Sequence, residues 1–370
     1  GKNAGTAITS GDSNVAIGTD ALMTEDEHAN NVAIGQHALR MQNAQADAYN
    51  VAVGYYAGPE LTTGKQNVLL GGHAGQFLTT ADSSVFVGHN AGYGLDGTPL
   101  LGANNTAVGK DAGELLQGAA NNNTLIGAQA GDQITTGTSN VAVGFATGGA
   151  TAASTGTFNT SVGFVAGGAL TTGNQNVLVG AYVSDAMTIG RYNTAAGYSA
   201  LSADVLGDRT TAIGYQTANY QVAGSNNATM ANSYLGMYAG HYNVTGTGNA
   251  GMGYQALFGA SGQSGDNNVA IGRNAGGICR GDENTFVGKD SGDAVTTGAG
   301  NTFIGSNSGT SVNTGATNTY IGRNSAEGAT EGDGNVCLGY EAGKNQIGTA
   351  SSVLYIARSN TGAGNDATWI

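Results

Sequence analysis

Asn318-Thr-Tyr-Ile-Gly-Arg-Asn-Ser325 decides the fold, because close copies of this stretch recur along the chain. The copies include Asn14-Val-Ala-Ile-Gly18, Asn67-Val-Leu-Leu-Gly71 and Asn140-Val-Ala-Val-Gly144. We call the glycine that closes each copy the anchor. There are 19 anchors between Gly18 and Gly339, mostly 17 residues apart. A fixed period of this length indicates a repeat protein in which each copy is one structural unit.

The residues before each anchor predict a short β-strand. Val or Thr usually stands three positions before the anchor, and an aliphatic residue stands one position before it. These two positions share one face of a strand, because side chains alternate with a period of two. We therefore expect Val15 and Ile17, and their equivalents up to Thr319 and Ile321, to face the core.

The asparagine and the glycines of the repeat predict how each copy turns and stacks. Asn stands four positions before the anchor in 17 of 19 copies, and a second glycine often follows the anchor by four positions. Glycine permits a positive φ or a close backbone approach. Asparagine caps turns and can stack into an amide ladder. The repeat residues chosen to represent these roles are Asn14, Gly18, Asn67, Gly71, Asn140, Gly144, Asn318 and Gly322.

One three-residue strand cannot bury its inner face alone, but stacked copies can. The sequence therefore predicts an all-β fold, a parallel β-solenoid or β-roll of about 20 rungs, where a rung is one copy of the 17-residue repeat. We expect the array to occupy residues 1–350. Residues 351–370, where the pattern stops, should form a cap or a junction to a further domain.

Composition excludes several classes of protein. The chain has 370 residues, 65 of them Gly, and a net charge of −13 with only 12 Lys and Arg. Periodic β-branched residues argue against disorder, and the absence of a strict glycine triplet argues against collagen. The negative charge disfavours nucleic acid and anionic membranes as partners. No apolar run reaches the length of a membrane span, so we expect no membrane insertion.

No motif in the sequence predicts a catalytic or metal site, and we expect neither an enzyme nor a cofactor. His37, His73 and His89 follow anchors and suit solvent-facing turns, with no zinc-like spacing. The Gly-Asp-x-Asn turns, as at Asp266, offer one carboxylate each, too few for calcium. Cys279 and Cys337 lie about three rungs apart, beyond disulfide reach, so we expect small, buried or half-buried free thiols, with intermolecular pairing or metal binding as the alternatives.

A polysaccharide depolymerase would need two carboxylates at a defined separation. The sequence supplies acidic residues but no reason to pair them, so this activity stays a third hypothesis. The candidates are Asp82, Asp96, Asp111, Glu114 and Asp132.

The Asn-Val-Ala-Ile-Gly phrase resembles the head repeats of trimeric autotransporter adhesins, although those repeats are shorter. The longer form, with Thr-Thr-Gly before it and Ala-Gly after it, is more similar to repeats of phage tail-fibre-like structural proteins. In those proteins a stretch similar to residues 354–370 precedes an intramolecular chaperone of the endosialidase type. The resemblance implies a homotrimeric, receptor-binding fibre segment of a virion, located in a tail or capsid-attached fibre. The alternative is a bacterial trimeric surface adhesin at the cell surface.

Two departures from the period suggest where a receptor would bind, because loops on a rigid scaffold often carry function. These insertions span residues 93–101 and 219–230. A host glycan or protein is the expected receptor. The candidate receptor residues are Tyr93, Leu95, Asp96, Tyr220, Gln221 and Asn226.

A row of small residues stands three positions after the anchors and suits close packing. We expect this row to lie at the contact between three copies of the chain, since cyclic symmetry repeats one patch about a common axis. Its representatives are Ala57, Ala74, Ala112, Ala166 and Ala275.

Overall fold

The structure is a computed structural model and describes residues 1–226, 228–259, 265–345 and 348–356. Within these residues every regular element is a β-strand, and each strand is three residues long. The chain divides into two compact units, residues 1–189 and 190–370. Each unit is a parallel β-solenoid in which consecutive strands pair in register, so the predicted fold class is confirmed.

Unit 1 contains ten strands, and each pairs with the next along the chain. They are β1 (Val15–Ile17), β2 (Val32–Ile34), β3 (Val51–Val53), β4 (Val68–Leu70), β5 (Val85–Val87), β6 (Thr106–Val108), β7 (Thr124–Ile126), β8 (Val141–Val143), β9 (Thr160–Val162) and β10 (Val177–Val179).

Unit 2 repeats the same architecture with ten further strands. They are β11 (Thr194–Ala196), β12 (Thr211–Ile213), β13 (Ser233–Leu235), β14 (Ala250–Met252), β15 (Val269–Ile271), β16 (Thr285–Val287), β17 (Thr302–Ile304), β18 (Thr319–Ile321), β19 (Val336–Leu338) and β20 (Leu354–Ile356). β20 pairs with β19, so the array continues past residue 350, and residues 357–370 of the expected cap lie outside the described residues.

The predicted orientation of the strands is wrong. In almost every strand the middle residue is fully buried and its two neighbours are half-buried or exposed. Val15, Ile17 and Ile321 are exposed, whereas Tyr320, between Thr319 and Ile321, is fully buried. Alternation along a strand is symmetric, so the spacing alone could not decide which face is inside.

The middle strand residue faces inward whether it is small or bulky. It is Ala in many strands, as in Ala33 and Ala270. Where it is larger, the second glycine of the repeat makes room: a Cβ on Gly292 would lie 2.3 Å from the Phe286 ring. Gly292 also has φ of 59°, a conformation that costs other residues energy. Thus the second glycine serves both the turn and the packing.

The anchor glycines are required by contact between rungs. Gly305 has φ of 138°, and a Cβ there would lie 2.4 Å from the carbonyl oxygen of Gly322, the next anchor. Gly71 meets the carbonyl of Gly88 in the same way. No side chain fits at this separation, so the backbone of each rung rests directly on that of the next.

Buried asparagines form the predicted amide ladder. The Asn301 side chain donates to the Asn284 side-chain oxygen (3.1 Å) and to the Gly315 carbonyl (2.9 Å). Its own oxygen accepts the backbone N–H of Asn318 at 3.0 Å. Each Asn therefore ties three successive rungs together. The same carbonyl contact is made by Asn14, Asn67, Asn140 and Asn318.

Candidate functional surfaces

The row of small residues does not lie on the surface. Ala57, Ala74, Ala112, Ala166 and Ala275 are all fully buried inside a single chain. A side chain without accessible surface cannot touch another molecule, so their assignment to the contact between copies is wrong. Their small size is explained by the interior, where they pack across from the middle residues of the strands.

The apolar surface lies instead on the outer side of the sheet, which we call the outer sheet face. We use this name for the side chains three positions and one position before each anchor. Many are exposed aliphatics: Val15, Ile17, Val53, Ile126, Val177, Val179, Ile213, Leu235, Met252, Ile271, Ile304 and Ile321. Because neighbouring strands are parallel and in register, the side chains of the outer sheet face, exposed and half-buried together, form columns along each unit.

Unit 2 has a shallow depression in its outer sheet face. Ser233 and Ala250 replace the usual Val or Thr on two adjacent strands, and larger residues such as Ile213 and Met252 stand around them. The lining is almost entirely apolar. This depression is part of the outer sheet face and not an enclosed cavity.

The first insertion protrudes only at its tip. Leu95 and Asp96 are exposed and Tyr93 is half-buried. Leu100 is fully buried and bridges Leu78 on the preceding rung. The insertion therefore leaves the rung between residues 94 and 99 and returns to the core at Leu100.

The second insertion contains both surface and core residues. Tyr220 and Asn226 are exposed, as expected of receptor residues. Gln221 is fully buried, so its assignment to a receptor contact is wrong. Met230 at the far end is also buried. The polar character of Gln221 suggested a loop, but its position in the repeat places it in the interior.

A cluster of half-buried and buried aromatic rings packs around Tyr220, which is exposed on unit 2. Tyr220 stacks on Tyr242 with ring centroids 5.1 Å apart and an interplanar angle of 12°. His241, Phe258 and Tyr238 pack edge-on or stacked around them. We call these five residues the Tyr220 patch. Burial lowers the pKa of His241, which favours its neutral, ring-stacking form.

Buried polar side chains interrupt the interior column. This column holds the residue seven positions after each anchor, which is aliphatic in rungs such as those of Leu61 and Leu78. Glu25 and Gln42 occupy it on adjacent rungs of unit 1, and Asp204 and Gln221 on adjacent rungs of unit 2. Sequence reasoning missed these residues, because a polar residue in a glycine-rich turn suggests exposure. Their fixed distance from the anchor was the available signal.

Three of the five depolymerase candidates come together. Burial raises the pKa of Asp132 to about 6, and the charges of Glu114 and Asp111 add to this effect. Burial also raises the pKa of Glu114, with Asp111 contributing. Of the other two, Asp82 accepts the backbone N–H of Lys65, and Asp96 is exposed. Burial and the neighbouring carboxylates account for the raised pKa values of Asp132 and Glu114 without a substrate.

Two of the Gly-Asp-x-Asn turns, at Asp266 and Asp333, bond to the backbone of the preceding rung. Asp266 accepts the N–H of Thr247 at 2.7 Å, and Asp333 accepts that of Ala316 at 2.8 Å, so these carboxylates link consecutive rungs. The rings of His73 and His89 lie 5.8 Å apart on adjacent rungs.

Both cysteines are free and buried, as the sequence predicted. Burial raises the pKa of each thiol, Cys279 and Cys337, to about 12. Both therefore stay protonated and unreactive at neutral pH.

Three metal-ligating residue types meet in the turn after Gly18. The ligand atoms of Glu25, Asp26 and His28 lie within 4.8 Å of one another. No metal ligand was expected from the sequence, and the spacing of Glu25, Asp26 and His28 did not predict that they would meet.

Comparisons with known proteins add no assignment. No protein-family model matches the chain, and a search of curated proteins finds no match. Within the described residues no helix has the length and apolar character that crossing a bilayer requires.

Proposed function

We propose that the chain is a structural segment of a homotrimeric fibre in a phage tail or virion, and that the fibre attaches to a receptor on the host cell surface. The outer sheet face carries this proposal. Strands in register place exposed apolar residues side by side on this face, as on the consecutive strands that carry Leu235, Met252 and Ile271. Exposed apolar patches of more than a few hundred Å² mark interaction sites in soluble proteins.

A trimer fits this surface better than an irregular partner does. The apolar columns repeat with every rung, so a partner must offer a matching apolar surface with the same period. Two further copies of the chain do so, and rotation about a common axis closes the assembly without a free face. An interface of this kind would be obligate, above about 2,000 Å² in area. The resemblance of the repeats to fibre proteins supports the same arrangement.

We assign receptor binding to surfaces other than the outer sheet face, which the contact between the three copies would leave free. The Tyr220 patch offers rigid aromatic area with hydroxyl groups, which suits recognition of glycans or proteins at a low entropy cost. The tip of the first insertion, with Leu95 and Asp96, is a second contact. Placement in a phage rather than on a bacterial cell rests on the resemblance of residues 354–370.

The oligomeric state tests the outer sheet face directly. Light scattering should give a mass three times the 36.6 kDa of one chain. Changing Ile126→Glu and Ile304→Glu together should produce monomers, since both residues are exposed in one chain and would be buried in the trimer. Leu101→Glu is the matched control, because Leu101 is also an exposed aliphatic residue but belongs to the insertion. A monomeric mass for the unaltered chain would contradict the proposal.

Adsorption to host cells tests the receptor surface. Tyr220→Ala, or removal of residues 95–98, should reduce attachment of the purified trimer at least about tenfold, as loss of a central aromatic contact does. Tyr49→Ala changes another exposed tyrosine and should leave attachment unaltered. Antibody labelling of virions separates a phage fibre from a cell-surface adhesin, which would label the bacterial surface instead. Unchanged attachment in both variants would refute the assignment of these contacts.

A further inference from the structure

The turn after Gly18 places a carboxylate where other rungs place an aliphatic side chain. Glu25 stands seven positions after the anchor, in the interior column, and is fully buried. Burial raises the pKa of its carboxyl group above the ordinary range, with the neighbouring His28 acting in the opposite direction. A buried carboxylate is costly unless a positive charge or hydrogen bonds compensate it. The question is therefore what compensates Glu25.

Only one of the two carboxylate oxygens of Glu25 accepts a hydrogen bond from a described residue. Its Oε1 accepts the backbone N–H of His28 at 3.3 Å. Its Oε2 is buried and has no hydrogen-bond partner among the described residues. The ring Nδ1 of His28 is likewise buried without a hydrogen bond, and it lies 3.5 Å from Glu25 Oε1. Asp26 adds a second carboxylate, whose Oδ1 accepts the N–H of Glu27.

We propose that Glu25, Asp26 and His28 bind one divalent transition-metal ion, with the chemistry of Zn²⁺. Zinc binds imidazole nitrogen and carboxylate oxygen at about 2.0–2.2 Å in a tetrahedron, which places two ligand atoms about 3.4 Å apart. The 3.5 Å between His28 Nδ1 and Glu25 Oε1 matches that separation. One ion would neutralise both carboxylates and provide a partner for the unpaired Oε2.

The ligand set selects the kind of metal. Calcium requires six to eight oxygen ligands, and magnesium an octahedron of oxygens. One imidazole with two carboxylates suits zinc or a similar borderline ion instead. Three protein ligands leave a fourth position for solvent, and the ion would also link the turn of this rung to the interior.

Isothermal titration of the metal-free 370-residue chain with zinc chloride tests the site. We expect one Zn²⁺ per chain, a rise in the melting temperature on binding, and at least a tenfold loss of affinity in His28→Ala. The half-exposed His28 ring makes this variant the one least disruptive to folding. Glu25→Gln should abolish the same binding event.

His37→Ala provides the matched control. His37 Nδ1 also lies 3.5 Å from a carboxylate oxygen, that of Asp20, but among the described residues no third ligand joins this pair. Zinc binding should therefore be unchanged in His37→Ala. Absence of a stoichiometric zinc site, equal loss in both histidine variants, or tighter binding of calcium chloride than of zinc chloride would each overturn the proposal.

Discussion

The side-chain Nε2 of Gln221 donates a 2.7 Å hydrogen bond to Oδ2 of Asp204, and both residues are fully buried on adjacent rungs. Asp204 also accepts the backbone N–H groups of Gly207 and Ala223 through Oδ1. Gln221 in turn accepts the amide of Asn232 at 2.9 Å. The interior of unit 2 therefore contains a connected polar network in a column that is aliphatic elsewhere.

Breaking this network from one side should be more damaging than removing the pair. Gln221→Leu leaves the carboxylate of Asp204 and the amide of Asn232 without a side-chain partner, at a cost of about 2–4 kcal/mol. Asp204→Leu combined with Gln221→Leu restores the aliphatic column of other rungs and should recover part of this loss. Urea denaturation of both single variants and the double variant measures the coupling. Additive losses would show that the two side chains do not act together.

The inward orientation of the middle strand residue can be tested in one strand. Phe303 is fully buried and stacks on Tyr320 with ring centroids 4.7 Å apart, whereas its neighbour Ile304 is exposed. Phe303→Ala should destabilise the fold by about 3–5 kcal/mol. Ile304→Ala should leave the stability of a single chain nearly unchanged and weaken only the trimer. Denaturation at concentrations below and above assembly separates the two effects, and equal losses at low concentration would contradict the orientation.

Alanine substitutions at two glycines test the contact between anchors. Gly305→Ala places a methyl group 2.4 Å from the Gly322 carbonyl oxygen, so the rungs must separate locally. We expect a loss of more than about 4 kcal/mol, which is exceptional for one substitution. Gly97 also has a positive φ, of 81°, but no atom of the described residues lies within 4 Å of its Cβ position. Gly97→Ala should cost only about 1–2 kcal/mol of backbone strain. Comparable losses would show that φ alone sets the requirement.

The buried carboxyl group of Asp132 predicts a pH dependence. Its pKa is raised from 3.8 to about 6 in the folded chain. The folded state thus keeps a proton that the unfolded state has lost, so the stabilising contribution is present below about pH 4 and is lost as pH rises to about 6. Asp132→Asn should therefore increase stability at pH 7 by at most about 3 kcal/mol and change it little at pH 4.

Thermal unfolding of Asp132→Asn across this range provides the measurement. Asp96→Asn removes an exposed carboxylate and serves as the control. We expect no comparable gain at pH 7 in the control. A stabilisation of Asp132→Asn that is the same at pH 4 and pH 7 would contradict the protonation argument.

The period of the sequence predicts much of the fold, but it does not predict which face of each strand points to the interior. The spacing of Asn and Gly predicts the strands, the turns and the amide ladder, because each depends on backbone geometry that few residues satisfy. The orientation does not follow from the spacing, because residues on both faces of a strand are apolar. Val15 and Ile17 have the pattern of a buried face, yet both are exposed and Ala16 between them packs half-buried against the core. Which face lies inside is decided by the stacking of rungs and is not written in one repeat.

The candidate functional residues depend even more on this orientation. Tyr220 and Asn226 were predicted at the surface and lie there, but Gln221 between them is buried. Glu25 belongs to an acidic turn in the sequence and to the core in the structure. Composition cannot separate such cases, because one step along the chain moves a side chain from solvent to the interior.

The direct contact between anchor glycines has an evolutionary consequence. Since each rung rests on the next through identical backbone contacts, a segment of one whole period can be duplicated or lost without disturbing its neighbours. A partial period is accommodated only where the extra residues leave the rung, as between residues 94 and 99, so that the glycine and the asparagine keep their partners. The length of the array should therefore vary among descendants of this gene in steps of one repeat. Such variation would change the length of the solenoid while preserving its surface chemistry.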